Sequence, residues 1–255
     1  MGRGISLAAA WLLGASIAAS DATAAEIKLM SPGAVSTSLA ELIPQFEKSS
    51  GHKVTVGYSP ALALVDRLRQ GEATDVAIVG DEAADELVQL GLFVKGSKAA
   101  IAKVGIGVFV RRGDPKPDIS TPEAFMRSVM NAKVISYSDP KLGGTAANYA
   151  GQLLSSLDIT GSITTKTKLT PPAKPLRDFV ASGGADFGLT QITEIIADPR
   201  LELVGPLPAE YQYYTLYAAG VMAKSQHADV GTALIAFLAS PESSAVMRSK
   251  GFEQF

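Results

Sequence analysis

The sequence predicts an α/β protein built as two similar halves, and three observations carry that prediction. From Glu26 onward, short apolar runs of strand type alternate with amphipathic stretches, the pattern of βαβ units with parallel strands. The connections are short, as in compact domains. After the proline-rich segment Gly113-Asp114-Pro115-Lys116-Pro117 the alternation begins again, as though a second lobe had been entered. Length alone does not choose between one large domain and two lobes, since single cores stop growing near ~250 residues.

The elements follow in order. Residues 27–30 read as a strand, 35–48 as a helix with Leu39, Leu42, Ile43 and Phe46 at helical spacing, and 53–58 as a strand again. A helix over 62–70, a buried strand over 75–79 and a helix over 83–90 stopped by Gly91 form the next unit. A long strand over 101–112 leads to the proline-rich boundary. Beyond it come a helix over 121–131 opened by Thr121-Pro122-Glu123, a strand over 133–137 and a helix over 144–157. Residues 170–175 read as a turn, 176–182 as a helix, 186–190 as a strand and 203–208 as loop punctuation. The strand expected over 213–223 returns the chain to the first lobe, which helices over 230–238 and 241–250 complete. The expected division is lobe 1 over 26–112 plus 215–255 and lobe 2 over 113–214, with no solenoid repeat.

Residues 1–25 have the layout of a cleavable signal peptide. Arg3 supplies the positive start, residues 5–19 an apolar stretch, and Ala22-Thr23-Ala24 the small-residue site, with cleavage near Ala24 or Ala25. The apolar stretch is short against the ~20 residues of a membrane span. Export to a periplasm is the expectation, without membrane insertion. The chain has no cysteine, so neither a lipidated cysteine nor a disulfide is available. With 23 Lys and Arg against 25 Asp and Glu, the formal net charge is -2. There is no basic field for nucleic acid, and any anion must be held by a local site.

Three strand-to-helix turns share small residues: Ser31-Pro32-Gly33-Ala34, Ser59-Pro60-Ala61-Leu62 and Leu142-Gly143-Gly144-Thr145-Ala146. At a helix N-terminus the first backbone N–H groups lack internal partners and the dipole is positive, so an anion is bound without a charged side chain. All three fall at the carboxyl ends of strands, where open α/β sheets hold ligands. The competing role for Ser31, Ser59 and Thr145 is to cap those helices, worth on the order of 1 kcal/mol each. Asp81 and Asp139 follow strands and are the candidate acids, although Asp81 also suits a cap for a helix near Ala83 and Asp139-Pro140 suits a turn. Gln191 ends its strand with an amide that donates. Tyr211, Tyr213, Tyr214 and Tyr217 suit core and lobe-interface packing, with a hydroxyl lining the cleft as the other role open to them. His52 and His227 read as solvated surface residues, and with no cysteine they argue against zinc. No metal and no cofactor is expected.

Several local phrases carry a family likeness: Phe46-Glu47-Lys48 before Gly51-His52-Lys53-Val54, Gly71-Glu72-Ala73-Thr74-Asp75-Val76, Ser138-Asp139-Pro140, and Pro241-Glu242-Ser243 before Gly251-Phe252. From Glu26 nearly to the C-terminus the chain resembles the periplasmic molybdate-binding proteins of ABC importers. The resemblance implies a type II periplasmic binding-protein fold, two lobes each with a mixed sheet flanked by helices, and a ligand in the cleft between them. It also implies a small anionic ligand and an ABC permease as partners, and the chain is expected to be monomeric. The ligand positions depart from the family, which places a serine where this chain has Ala34, a serine-rich turn where it has Pro60-Ala61-Leu62, and a tyrosine where it has Gln191. Hydroxyls grip a deprotonated tetrahedral oxyanion by donating without adding charge. Their loss widens the site and makes it more apolar, which suits a di- or tricarboxylate such as aconitate better than molybdate. Periplasmic aconitate isomerase is also similar to molybdate-binding proteins, so an allylic proton shift between cis- and trans-aconitate is the alternative, with Asp81 or Asp139 as its base. Molybdate or tungstate import is the further alternative.

Overall fold

The structure, a computed structural model, describes residues 24–158, 161–171 and 173–253. Apart from its last two residues, the expected signal peptide lies outside them. The first half runs β1 (Glu26–Ser31), α1 (Ser36–Ser50), β2 (Lys53–Tyr58), α2 (Ala61–Arg69), β3 (Val76–Gly80), α3 (Asp81–Gln89) and the long β4 (Ala99–Arg111). The second half holds α4 (Pro122–Asn131), β5 (Ile135–Ser138), α5 (Thr145–Leu157), α6 (Ser162–Lys166), β6 (Thr167–Thr170), α7 (Leu176–Ala181), β7 (Phe187–Gln191), α8 (Ile192–Ile196) and β8 (Leu201–Pro206). The chain then returns through β9 (Tyr214–Val221) to α9 (Ala228–Leu238) and α10 (Pro241–Ser249).

The strands form one continuous mixed path, β2-β1-β3-β9-β4-β7-β5-β6, with β8 also paired to β4. The β1, β2 and β3 pairings are parallel, as are those of β5 with β6 and β7, whereas β9 runs antiparallel to β3 and β4. β4 is what joins the lobes. Its first half, to Gly105, pairs with β9, and from Ile106 it pairs with β7 and β8. Half of the strand that the sequence assigned to lobe 1 therefore belongs to the second sheet. Where β4 changes sheets, the Gln212 side chain clasps it: Ile106 N–H donates to Oε1 at 2.9 Å and Nε2 donates to the Ile106 carbonyl at 3.1 Å.

Alternation along the strands gives each lobe a core on both sheet faces. Ile27 and Leu29 of β1 face Leu39, Leu42 and Phe46 of α1 and Leu234 of α9, while Met30 joins Leu64, Leu68 and Leu87 on the opposite face. In the second lobe Ile106, Val108 and Val110 pack with Phe125, Leu153 and Leu154, and Phe109 turns the other way toward Val180, Ile195 and Leu201. Each such side chain, fully buried, contributes about 1.5–3 kcal/mol. α1 ends where Gly51 takes a left-handed φ of 75°. His52, expected to be solvated, instead accepts the Ala25 N–H at 3.1 Å and ties down the start of β1.

The loop expected over 203–208 is a correction, since residues 201–206 form β8. Pro206 at its C-terminal end suits an edge strand, because β8 pairs only with β4. Among the described residues no single helix is long and apolar enough to cross a membrane.

Candidate functional site

A cavity of about 440 Å³ lies where the carboxyl ends of β1, β2, β5 and β7 converge. Gly33 and Ala34 reach it from the turn after β1, and Ser59, Pro60 and Ala61 from the turn after β2. From the second lobe come Ser138, Leu142, Gly144, Thr145, Ala146 and Ala147 at the end of β5 and the start of α5, with Thr190, Gln191 and Glu194 at the end of β7. Tyr58 and Tyr217 close it. No Lys, Arg or His is among the lining residues.

The helix starts that face this space are free of side-chain caps. The N-cap of α2 is Pro60 and that of α5 is Gly144, neither supplying a side-chain acceptor, and α1 is entered through a short 3-10 turn, Gly33–Val35, that is likewise uncapped. Ser59 and Thr145 therefore do not perform the capping role open to them. The N–H groups of the first turns remain available to a ligand.

Four expected residues lie elsewhere. Ser31 is fully buried, and its hydroxyl turns back onto the Pro32 carbonyl at 3.1 Å. Leu62 is exposed and reaches across to Gly143 of the opposite lobe, where a Cβ built on the glycine would sit 2.9 Å from the Leu62 Cβ. Gly143 has a φ of 76°, so the close approach and the backbone both call for glycine. Asp81 is the first residue of α3, behind Gly80 as N-cap, and pairs with Lys98 Nζ at 2.9 Å. Asp139 accepts the Lys141 N–H at 3.0 Å and caps its own turn. Neither acid lines the cavity. Both are held by local partners because each sits where a helix or turn begins and its own N–H groups or a lysine are nearer than the cleft.

Gln191, 4% exposed, anchors a buried polar network. Its Nε2 donates to Thr215 Oγ1 at 2.9 Å and to the Tyr217 hydroxyl at 3.0 Å, and that hydroxyl lies 3.1 Å from Oε1. Burial pushes the Tyr217 phenol well above its ordinary range, so it stays a neutral donor. Tyr217 is the residue of its group that enters the site, whereas Tyr211 and Tyr213 pack in the second lobe, the latter stacked on Tyr149 at 4.8 Å.

Glu194 was not foreseen. It is half-buried, stands on α8, and accepts a hydrogen bond from Thr190 Oγ1. The five-residue α8 was missed because Ile192, Thr193, Ile195 and Ile196 are β-branched and of low helix propensity. Packing of Ile192 and Ile195 against Gly107 holds it as a helix. A second cavity of about 300 Å³ shares Gly33, Ala34, Tyr58 and Glu194 with the first and adds Ser36, Thr37, Arg177, Thr193 and Ala197. Among the described residues no group of three or more His, Cys, Asp or Glu is placed to hold a metal ion.

Two lobes sharing a long strand, with uncapped helix starts around an interlobe cavity, define a two-lobed solute-binding protein. The model of the bacterial extracellular solute-binding protein family matches residues 27–253, and the chain belongs to that family. It is 31% identical to an aconitate isomerase from a Pseudomonas species over 232 residues, 89% of this chain and 87% of that one. It is 26% identical to the molybdate-binding protein ModA of Azotobacter vinelandii over 245 residues, 94% of each. The solved structure of a periplasmic molybdate-binding protein from Azotobacter vinelandii superposes with a TM-score of 0.73 at 18% identity, covering 90% of this chain and 99% of that one. That likeness shows the fold.

Proposed function

We propose that this chain is an exported periplasmic binding-type protein whose cleft takes a di- or tricarboxylate such as aconitate in preference to molybdate. The cavity carries this reading. A tetrahedral oxyanion of five heavy atoms displaces roughly three waters, about 90 Å³ at ~30 Å³ each. The cavity holds about 440 Å³, and Ala34, Pro60, Ala61, Leu142 and Ala146 stand in its wall. Such a wall suits a hydrocarbon skeleton, while the free N–H groups at the starts of α2 and α5 take carboxylates and draw the lobes together. The relative named as an aconitate isomerase supports the same ligand class. As a carrier, the protein would hand its ligand to an ABC permease.

Glu194 favours a second reading, isomerisation of cis- and trans-aconitate. A carboxylate in the wall repels an anion and gives a carrier nothing, but a proton shift requires a base. Glu194, oriented by the Thr190 hydroxyl, would take a proton from the allylic methylene as the double bond moves toward that carbon. It would then return the proton to the far end of the allyl system, leaving the atom count unchanged. Incubating the protein with trans-aconitate while following cis-aconitate separates the readings. Turnover supports the isomerase, saturable binding without turnover supports the carrier, and tight molybdate binding with no carboxylate binding overturns both.

A further inference from the structure

The main cavity has no cationic lining residue, yet a di- or tricarboxylate brings two or three negative charges. A helix N-terminus offers about half a positive charge. The adjoining cavity of about 300 Å³, which shares the wall residues Glu194, Tyr58, Gly33 and Ala34 with the first, supplies what is missing. Arg177 lines it and takes part in no ion pair or hydrogen bond among the described residues. Its neighbour Arg200 is by contrast committed to Asp178 and Asp198, each at 2.6 Å. Thr193 lines the same space, only 1% exposed, with its hydroxyl buried and unpartnered. A buried hydroxyl without a partner costs about 1–3 kcal/mol, and a ligand group reaching it as the lobes close would remove that cost.

We infer that this second cavity is a carboxylate subsite, in which the Arg177 guanidinium and the Thr193 and Thr37 hydroxyls hold a second carboxylate of a ligand whose body lies in the main cavity. The inference rests on the carboxylate reading above. Arginine presents a planar fork that matches a carboxylate with two parallel hydrogen bonds. Thr37 belongs to α1 of the first lobe, and Arg177 and Thr193 belong to α7 and α8 of the second. A carboxylate between them therefore links the lobes. The subsite selects for ligands with two carboxylates joined by a carbon chain and against a single compact oxyanion.

The test is calorimetry on the full-length mature chain with trans-aconitate, and ligand-observed NMR with crotonate, which carries one carboxylate. Arg177→Gln should weaken trans-aconitate about ten- to hundredfold. Crotonate should change by no more than about twofold, because an exposed charge that makes no contact is largely screened at physiological salt. Arg177→Lys should restore part of the loss, and Thr193→Val should weaken trans-aconitate in the same direction. The melting temperature of Arg177→Gln should stay close to that of the wild type, since the exposed side chain makes no hydrogen bond or close ion pair and its through-space attraction to Asp198 is screened by solvent. Equal loss for both probes would show Arg177 to be a counter-ion for Glu194 and overturn the subsite. Unchanged trans-aconitate binding by Arg177→Gln would overturn it while leaving the carboxylate reading intact. Failure of the wild type to bind trans-aconitate at all would overturn that reading and the subsite with it.

Discussion

Replacing Gln191 with alanine removes the amide that holds Thr215 and Tyr217, which are 5% and 3% exposed. Two hydroxyls then lose their partner at the floor of the cleft, at about 1–3 kcal/mol each when nothing replaces it. Water entering from the cavity offsets part of that cost, and the lost Cγ methylene and amide volume add a cavity term. The expected destabilisation is about 2–4 kcal/mol. For a chain of this size 1 kcal/mol moves the melting temperature by about 2–4 °C, so Gln191→Ala should melt roughly 5–12 °C lower. Thermal unfolding followed by circular dichroism reads this directly. Tyr217→Phe removes the other half of the contact, so Gln191→Ala should cost at least about 1 kcal/mol less in that background. A melting temperature within 1 °C of wild type, or strict additivity of the two changes, would refute the network as described.

Glu194→Gln keeps the shape of the wall but removes the base and the like charge. If the protein isomerises aconitate, the variant should lose about 10²–10⁴-fold in turnover while binding trans-aconitate at least as tightly as the wild type, measured by proton NMR and calorimetry. Undiminished turnover would exclude Glu194 as the base. The Arg200 hydrogen bond holds the Asp198 carboxyl below the usual carboxylate range. The unfolded chain therefore takes up that proton first as pH falls, and the stability from Asp198 is complete above its ordinary pKa of about 3.9 and is lost as pH falls through the lowered native value. Asp198→Asn should lower the melting temperature at pH 7 and flatten its decline below about pH 4. An unchanged acid limb would contradict the pairing.

The α/β alternation was legible because strand and helix periods differ and the apolar residues of β1, α1, β3 and α5 follow them without conflict. β8 and α8 were not. Residues 203–208 read as loop punctuation, the β-branched residues of α8 have low helix propensity, and only packing on β4 decides the form of both. The three small-residue turns could be found in the sequence because small residues at the end of a strand leave room beside the backbone, and all three contribute to the cavity wall. From the three turns, Pro32, Gly33, Ala34, Ser59, Pro60, Ala61, Leu142, Gly144, Thr145 and Ala146 line the cavity, as does Gln191. Ser31, Asp81 and Asp139 fail for one reason, that each polar group finds a partner within its own turn or on a neighbouring lysine. Leu62 faces the other lobe's Gly143. Glu194 became visible only when α8 was placed beside Gln191, whereas Tyr217 takes the cleft-lining role open to its group. The family-like tyrosine position occupied by Gln191 gave half of that signal, since a tyrosine hydroxyl does reach the site, but from a different strand.

The ligand class decides the account. Calorimetry of the mature protein against trans-aconitate and molybdate under one buffer tests it most directly. The account predicts saturable trans-aconitate binding and no detectable molybdate binding. Tight molybdate binding with no response to trans-aconitate would contradict it.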